Sequence, residues 1–268
     1  MTTDQITSSA NPRIKAVIGL RDRQEREARG LSLVDGAREI GRAIAAGIEV
    51  VELYFAADLV IGGDARATLA AARAAGSHVV QVGPTVLARL AFGDRSDGLV
   101  AVIRIPPLGL DRLSLPAPAL VVVAEAVEKP GNLGAILRSA DGAGAGALIA
   151  ADPRTDLFNP NAIRASLGTI FSVPIAMATT AQTIDWLQAH AIAMVVARVD
   201  GTREYDEVDY RGPVAIVLGS EAAGLAQAWV GPAIQAVRLP MLGAADSLNV
   251  SAAAAILLYE ARRQRSRT

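Results

Sequence analysis

The stretch ALVVVAEAVEKPGNLGAILRSADGAGAGALIAA, residues 119–151, decides how the rest of the chain is read. Its first nine residues are almost wholly apolar, the pattern of a strand covered on both faces of its sheet. A turn follows at residues 128–131. GNLGAILRSADGAG then reads as a helix, with Leu133, Ile136, Leu137 and Ala140 spaced by three and four along one face. Its closing glycines can take left-handed caps. ALIAA is the next strand. Strand, helix, strand in this order predicts a parallel sheet. Arg138 points away from the apolar face of the helix, and the stretch alone leaves it either a solvated arginine or a site residue.

Downstream the alternation continues. Residues 159–167 and 181–189 read as helices, IAMVVAR and VAIVLG as strands, 221–230 as a helix and AVRLP as a short strand. The last helix runs from about residue 249 to 265. Its segment VSAAAAILLY carries no charge and is apolar all round. Such a helix is buried on every side, either inside its own domain or under a partner subunit. Upstream, residues 105–119 contain Pro106, Pro107, Pro116 and Pro118, which argues against regular structure and marks a linker. Residues 1–105 alternate helical and strand patterns over a polar helix at 11–29, LSLVD, GAREIGRAIAAG, EVVELYF, a helix at 64–75, HVVQV and PTVLARLA. They form a small α/β unit. The expected division is therefore 1–105, a Pro-rich linker at 106–118, and a second domain at 119–268.

Composition narrows the function. The chain has 268 residues, enough for one large or two modest domains. No basic-then-apolar leader opens it, and no apolar run approaches the ~20 residues of a spanning helix. Cytoplasmic location is the expectation. Cysteine is absent, which removes thiolate chemistry and Cys-ligated zinc. His78 and His190 are the only imidazoles, neither with a ligand neighbour at metal spacing, so no metal is expected. Net charge is −1, so any nucleic-acid binding must be local. Two basic runs qualify: residues 13–29, with Arg13 and Lys15, and the C-terminal ARRQRSRT. Both also suit solvated helices with internal charge pairs.

Three loops follow strands, where α/β proteins hold ligands. The first is 128–138. It lacks both GK[ST] and a GxGxxG between strand and helix, so the common nucleotide folds, nicotinamide enzymes included, lose ground. The second is LGSEAAGL, 218–225, where Ser220 and Glu221 could simply start a helix. The third is PMLGAADSLNVS, 240–251, a polar loop before the final helix.

Taken together, N-x-G-x-x-x-R (Asn132, Gly134, Arg138), L-G-S-E-x-x-G-L and P-M-x(6)-L-N-V-S resemble, in order, the three motifs of the SpoU–TrmH family. Its members are S-adenosylmethionine-dependent RNA 2′-O-ribose methyltransferases of the SPOUT superfamily. The resemblance spans residues 120–268. Residues 1–105 are similar, more loosely, to the substrate-binding extension of rRNA-directed members. The resemblance implies an α/β fold whose C-terminal parallel sheet carries a deep trefoil knot, preceded by the small α/β domain. That knot does not follow from composition or periodicity. It also implies a homodimer with the site near the subunit interface, S-adenosylmethionine as cofactor, and RNA as partner, 23S rRNA above tRNA because of the extension. A non-catalytic RNA-binding protein of the same fold is the other class.

Carried over residue by residue, the resemblance makes Arg138, Asn132, Glu221, Ser247 and Asn249 the catalytic set. The cofactor set is Leu218, Gly219, Glu221, Gly224, Leu239, Met241, Leu248 and Asn249. Arg164, in R-x-S-x-G, joins Arg13 and Lys15 as an RNA-binding expectation. Arg138 matches the family arginine that activates the 2′-hydroxyl. A guanidinium stays protonated, so an electrostatic role is easier than that of a literal base.

Overall fold

In this computed structural model, which describes residues 5–92 and 97–266, the sheet containing residues 119–151 follows the expected parallel pattern. The chain divides into two compact units, Met1–Pro107 with Phe158–Ser172, and Leu108–Leu157 with Val173–Thr268.

The first unit is built on a five-stranded sheet. In chain order its elements are β1 (Gln5–Ile6), α1 (Pro12–Gly19), α2 (Arg23–Arg29), β2 (Leu31–Asp35), α3 (Ala37–Ala45), β3 (Val50–Phe55), α4 (Gly63–Ala74), β4 (His78–Val82), α5 (Pro84–Leu90) and β5 (Leu99–Arg104). The strand order is β1-β4-β3-β5-β2, with β5 antiparallel to both neighbours. Ile14, Val17, Leu20, Leu33, Tyr54, Val80, Leu87, Leu90 and Val102 share one core.

Three readings change here. The single helix expected over 11–29 is two. Asp22 caps the second, accepting from the backbone N–H of Gln24 at 2.8 Å. Arg26, expected on a solvated face, is buried, and donates to the carbonyls of Leu20 and Arg21 at 2.8 Å each. It satisfies the carbonyls of the cap of α1 and of the residue after it, in the connection to α2. LVAVIR, just before the prolines, is a strand, β5, with a neighbour on each side in its sheet.

The second unit contains β6 (Leu120–Glu125), α6 (Pro130–Ala143) and β7 (Ala147–Ala151). The chain then gives α7 (Pro160–Ala165) to the first unit, where it packs on β2. It returns as β8 (Ile175–Ala178), α8 (Thr180–Ala189), β9 (Ala193–Ala197), β10 (Arg203–Glu204), β11 (Val214–Leu218), β12 (Ile234–Arg238) and α9 (Val250–Arg265). The sheet order is β10-β12-β9-β11-β6-β7-β8, and every neighbouring pair is parallel. β8, like β5, was not anticipated.

Side-chain alternation divides this sheet's residues between two faces. Val121, Val123, Ile149, Met194, Ala215 and Val217 pack with Leu187 of α8 and with Trp229. Leu110, Leu113 and Leu115, in the proline-rich segment, pack against the same core, so that segment is attached to the sheet from Leu108 onward. The alternate residues, Leu120, Val122 and Ala124, point to the face covered by α6 and α9. Those two helices pack on each other, and α9 also packs on β11.

Of the two alternatives for α9, burial inside its own domain does not hold. Ala254, Leu257, Leu258 and Ala261 are buried, while Ala252, Ile256 and Tyr259 lie exposed on the other side. Within one chain it is a surface helix with an apolar outer face.

Candidate active site

The C-terminal ends of β6, β11 and β12 each feed one motif loop. β6 and β11 are adjacent and in register, Leu218 opposite Ala124, so their loops leave the sheet side by side.

After β6 the chain turns into α6. Pro130 occupies the first helical position, where its missing N–H costs nothing. Asn132 therefore lies in the first turn. Leu133, Ile136, Leu137 and Ala140 are buried, and Arg138 is exposed, as their spacing requires. Among the described residues Arg138 has no hydrogen-bond or ion-pair partner. Six residues separate it from Asn132, about 9 Å along the helix and about 120° around it. The two side chains leave α6 in different directions.

After β11 the expected helix at 221–230 is a tight turn. Ser220 and Gly224 exchange backbone hydrogen bonds at 3.1 and 3.0 Å, and the Ser220 Oγ accepts from the N–H of Ala223 at 3.0 Å. Gly224 has φ of 67°, a conformation glycine adopts without steric cost. Gly219 is required for a different reason. A Cβ there would lie 2.3 Å from the carbonyl carbon of Gly224. A short 3-10 turn, Gln227–Trp229, closes the loop, and Trp229 is buried. Glu221 and Gly224 are exposed, while Leu218 is buried at the strand end.

After β12 residues 239–249 form an irregular, largely exposed loop. Leu239 and Met241 are partly buried; Ser247 and Leu248 are exposed. Asn249 caps α9, its Oδ1 accepting from the backbone N–H of Ser251 at 2.9 Å and from its hydroxyl at 2.7 Å.

Asn132 joins the three loops. Its amide nitrogen donates to the Glu221 Oε1, and its Oδ1 accepts from the Asn249 Nδ2 at 3.4 Å. The donor to a carboxylate and the acceptor from an amide fix which way the Asn132 side chain points. Asn132, Glu221 and Asn249, 117 positions apart from first to last, thus form one polar chain. Ser247 and Arg138 are not part of it. Polar groups and backbone amides on the 219–224 turn, with Leu239, Met241 and Leu248 on the facing loop, suit a ligand having an apolar ring and hydrogen-bonding edges.

The structure adds Glu125 to the residues that the motifs point to. It is buried at the end of β6, with three hydrogen-bond donors on its carboxylate. Its signal was a single charge near the end of an otherwise apolar run.

The expected RNA contacts lie in the first unit. Arg13 donates to the Glu52 Oε1 from Nε at 3.0 Å and Nη2 at 2.6 Å, and also meets His78. Lys15 is exposed. Arg164 donates to the carbonyl of Phe92, whose N–H donates to Asp35 at 2.7 Å. Burial pushes the Asp35 carboxyl up to about 6, with the Phe92 N–H and Arg164 opposing the rise. At the C-terminus Arg263 pairs with Glu260 at 2.6 Å. Arg265 donates to the carbonyls of Pro118, Ala119, Tyr210 and Gly212 at 2.6–2.8 Å, anchoring α9 beside the starts of β6 and β11. These two arginines act as internal ties; Arg267 and Thr268 lie outside the described residues.

Comparison with known proteins agrees over both units. The family described as SpoU rRNA methylase matches residues 119–259, and the MRM3-like substrate binding domain matches residues 11–101. The 23S rRNA (uridine(2479)-2′-O)-methyltransferase of Streptomyces viridochromogenes is 33% identical, over 94% of this chain and 88% of that protein. A crystal structure described as an RNA 2′-O ribose methyltransferase superposes with a TM-score of 0.85 at 42% identity, covering 98% of this chain and 100% of that one. The AdoMet-bound rRNA methyltransferase of Sinorhizobium meliloti superposes with a TM-score of 0.88 at 30% identity, covering 97% of each.

Proposed function

The chain belongs to the SpoU rRNA methylase family, and from that premise we propose that it transfers a methyl group from S-adenosylmethionine to a ribose 2′-hydroxyl of RNA, with 23S rRNA as the target. The observation that carries this reading is the Asn249–Asn132–Glu221 chain, which brings residues of all three motifs to one place.

S-adenosylmethionine, bound against the 219–224 turn and the 239–249 loop, supplies an electrophilic methyl group. The protein's task is to place the hydroxyl in line and to favour its ionisation. Asn132 is held by Glu221 and Asn249, so it offers a fixed hydrogen-bonding group at the first turn of α6. Arg138 supplies a cation with no neutralising partner among the described residues. Beside a developing alkoxide, such a charge stabilises the transition state. Guanidinium stays protonated, so the hydroxyl proton passes to water or a substrate phosphate rather than to Arg138.

The working form is a homodimer. Support comes from α9, where Ile256 is 37% and Tyr259 52% exposed on an apolar face beside α6. Covering that face would also bring Arg138, on the open side of α6, toward a second chain. The chain passing through its own C-terminal loops as a trefoil knot belongs to the same proposal. The first unit binds the RNA, with Lys15 free to reach phosphate and with Arg13 and Arg164 doing so only by giving up Glu52 and the Phe92 carbonyl. Among the described residues no helix is long and apolar enough to cross a membrane. We place the activity in the cytoplasm, beside the ribosome.

The test is methyl transfer from labelled S-adenosylmethionine to bacterial RNA separated into 23S, 16S and tRNA, with Arg138→Ala in parallel. Label in 23S rRNA that vanishes with the variant is the expected result. Label in tRNA would redirect the substrate. Cofactor binding without label in any fraction would favour the non-catalytic RNA-binding class.

A further inference from the structure

β6 alternates between its two covered faces, with Val121, Val123 and then Glu125 on the face that carries Trp229 and α8. Glu125 thus ends an apolar row with a carboxylate that is 3% exposed. Burying such a group without partners is costly. Its partners are all donors. The Thr180 hydroxyl and the Trp229 indole N–H reach Oε1 at 2.6 and 2.7 Å, and the backbone N–H of Ala226 reaches Oε2 at 2.7 Å. Thr180 is the first residue of α8, so the helix also presents its positive end there.

Two of the three donors belong to the loop that follows β11. Ala226 and Trp229 lie directly after the Ser220–Gly224 turn, and Gly224 is two residues from Ala226. The turn has only a short internal bridge to hold its shape, and its outer residues are exposed. Its downstream end is fixed to the sheet by hydrogen bonds to Glu125. The upstream end is fixed by β11, paired with the strand that bears Glu125.

We propose that Glu125 is a positioning residue for the cofactor loop: it ties Ala226 and Trp229 to the end of β6, and so holds the 219–224 turn in the shape that binds S-adenosylmethionine. This rests on the methyltransferase reading above. Glu125 touches neither cofactor nor RNA and acts through the loop.

An isosteric amide separates this role from simple packing. Both loop partners can only donate. Glutamine would turn an NH2 group toward one of them, leaving two donors face to face. Glu125→Gln is therefore expected to weaken S-adenosylmethionine binding by about ten-fold or more, raising KM for the cofactor more than it lowers kcat. Trp229→Phe removes one loop donor and leaves the carboxylate, and is expected to shift the same constant in the same direction. Calorimetric titration with S-adenosylmethionine, cofactor-dependent kinetics and thermal melting are measured on the full chain for both variants. Glu125→Gln and Trp229→Phe binding the cofactor as wild type does would overturn the proposal. So would variants that lose melting stability and active fraction while the folded remainder keeps wild-type affinity, since Glu125 would then only support the fold. If the wild-type protein itself binds no S-adenosylmethionine, the functional reading fails and takes this one with it.

Discussion

Asn132 donates its side-chain amide to the carboxylate of Glu221, tying the first turn of α6 to the turn that follows β11. The same side chain accepts from Asn249, the cap of α9. One residue therefore sets the relative placement of three loops that arise at three strand ends. Its exposure is intermediate, so little packing energy depends on it.

Replacing Asn132 by Asp sets a carboxylate against Glu221 in place of a donor. Hydrogen bonds to charged groups contribute about 1.5–3 kcal/mol, so methyl transfer should fall by about ten- to hundred-fold, with melting temperature almost unchanged. Single-turnover rates and thermal melting check this. A variant as active as wild type would show that the Asn132–Glu221 contact has no role in catalysis.

Arg138 lies outside that polar chain, so its loss should separate chemistry from binding. For Arg138→Ala, methyl transfer should drop by about 10²–10³-fold, the usual cost of removing one oxyanion-stabilising group. Cofactor affinity and dimer mass should stay as in wild type. Arg138→Lys keeps the charge and loses the planar fork, so it should recover only part of the rate. Loss of cofactor affinity in the alanine variant would place Arg138 in the binding loop instead.

Much of the second unit was legible because its signals are local. Apolar strands, the helix face at Leu133–Ile136–Leu137–Ala140 and the three motif loops all declare themselves within a dozen residues. The turn after β11 was not, because Ser220 followed by Glu221 also fits the start of a helix. What decides against the helix is the backbone pairing of Ser220 with Gly224, together with the contact that excludes a Cβ at Gly219. The burial of Arg26 was not legible either, because a charge in a polar run looks solvated until the carbonyls of Leu20 and Arg21 are seen around it. Phe158–Ser172 packing with the first unit is a matter of contacts distant in sequence, to which periodicity is blind. For that reason deleting residues 1–105 would strip Ile163, Ile170 and Phe171 of their surroundings; Lys15→Glu is the cleaner test of RNA binding.

Gly219→Ala should be among the most damaging small changes in the second unit. The added Cβ would meet backbone rather than a flexible side chain, 2.3 Å from Gly224 and 2.6 Å from the amide nitrogen of Leu225. The turn must open, at about 1–3 kcal/mol of stability, and cofactor affinity should be lost with it. Gly212→Ala, where nothing lies within 4 Å, serves as the control. Thermal melting and cofactor titration of the pair decide the matter, and equal behaviour of the two variants would refute the close-approach argument.

Asp35 should make the protein less stable as pH rises. Its folded pKa is about 6 against an ordinary value of 3.8, because burial disfavours the charge. Asp97 and Glu39 add to the rise, while the Phe92 N–H and Arg164 oppose it. The folded state therefore holds a proton that the unfolded chain gives up between those two values. Stability linked to this group is fully present below about 3.8, falls as pH climbs through about 6, and is then lost. Asp35→Asn retains an acceptor for the Phe92 N–H and removes the charge. Its melting temperature relative to wild type should thus improve steadily from about pH 4 to about pH 7. Arg164→Ala, which removes the opposing cation, should move the Asp35 titration further upward, readable by carboxyl-carbon NMR. A melting difference for Asp35→Asn that does not change with pH would mean that the carboxylate is solvated after all.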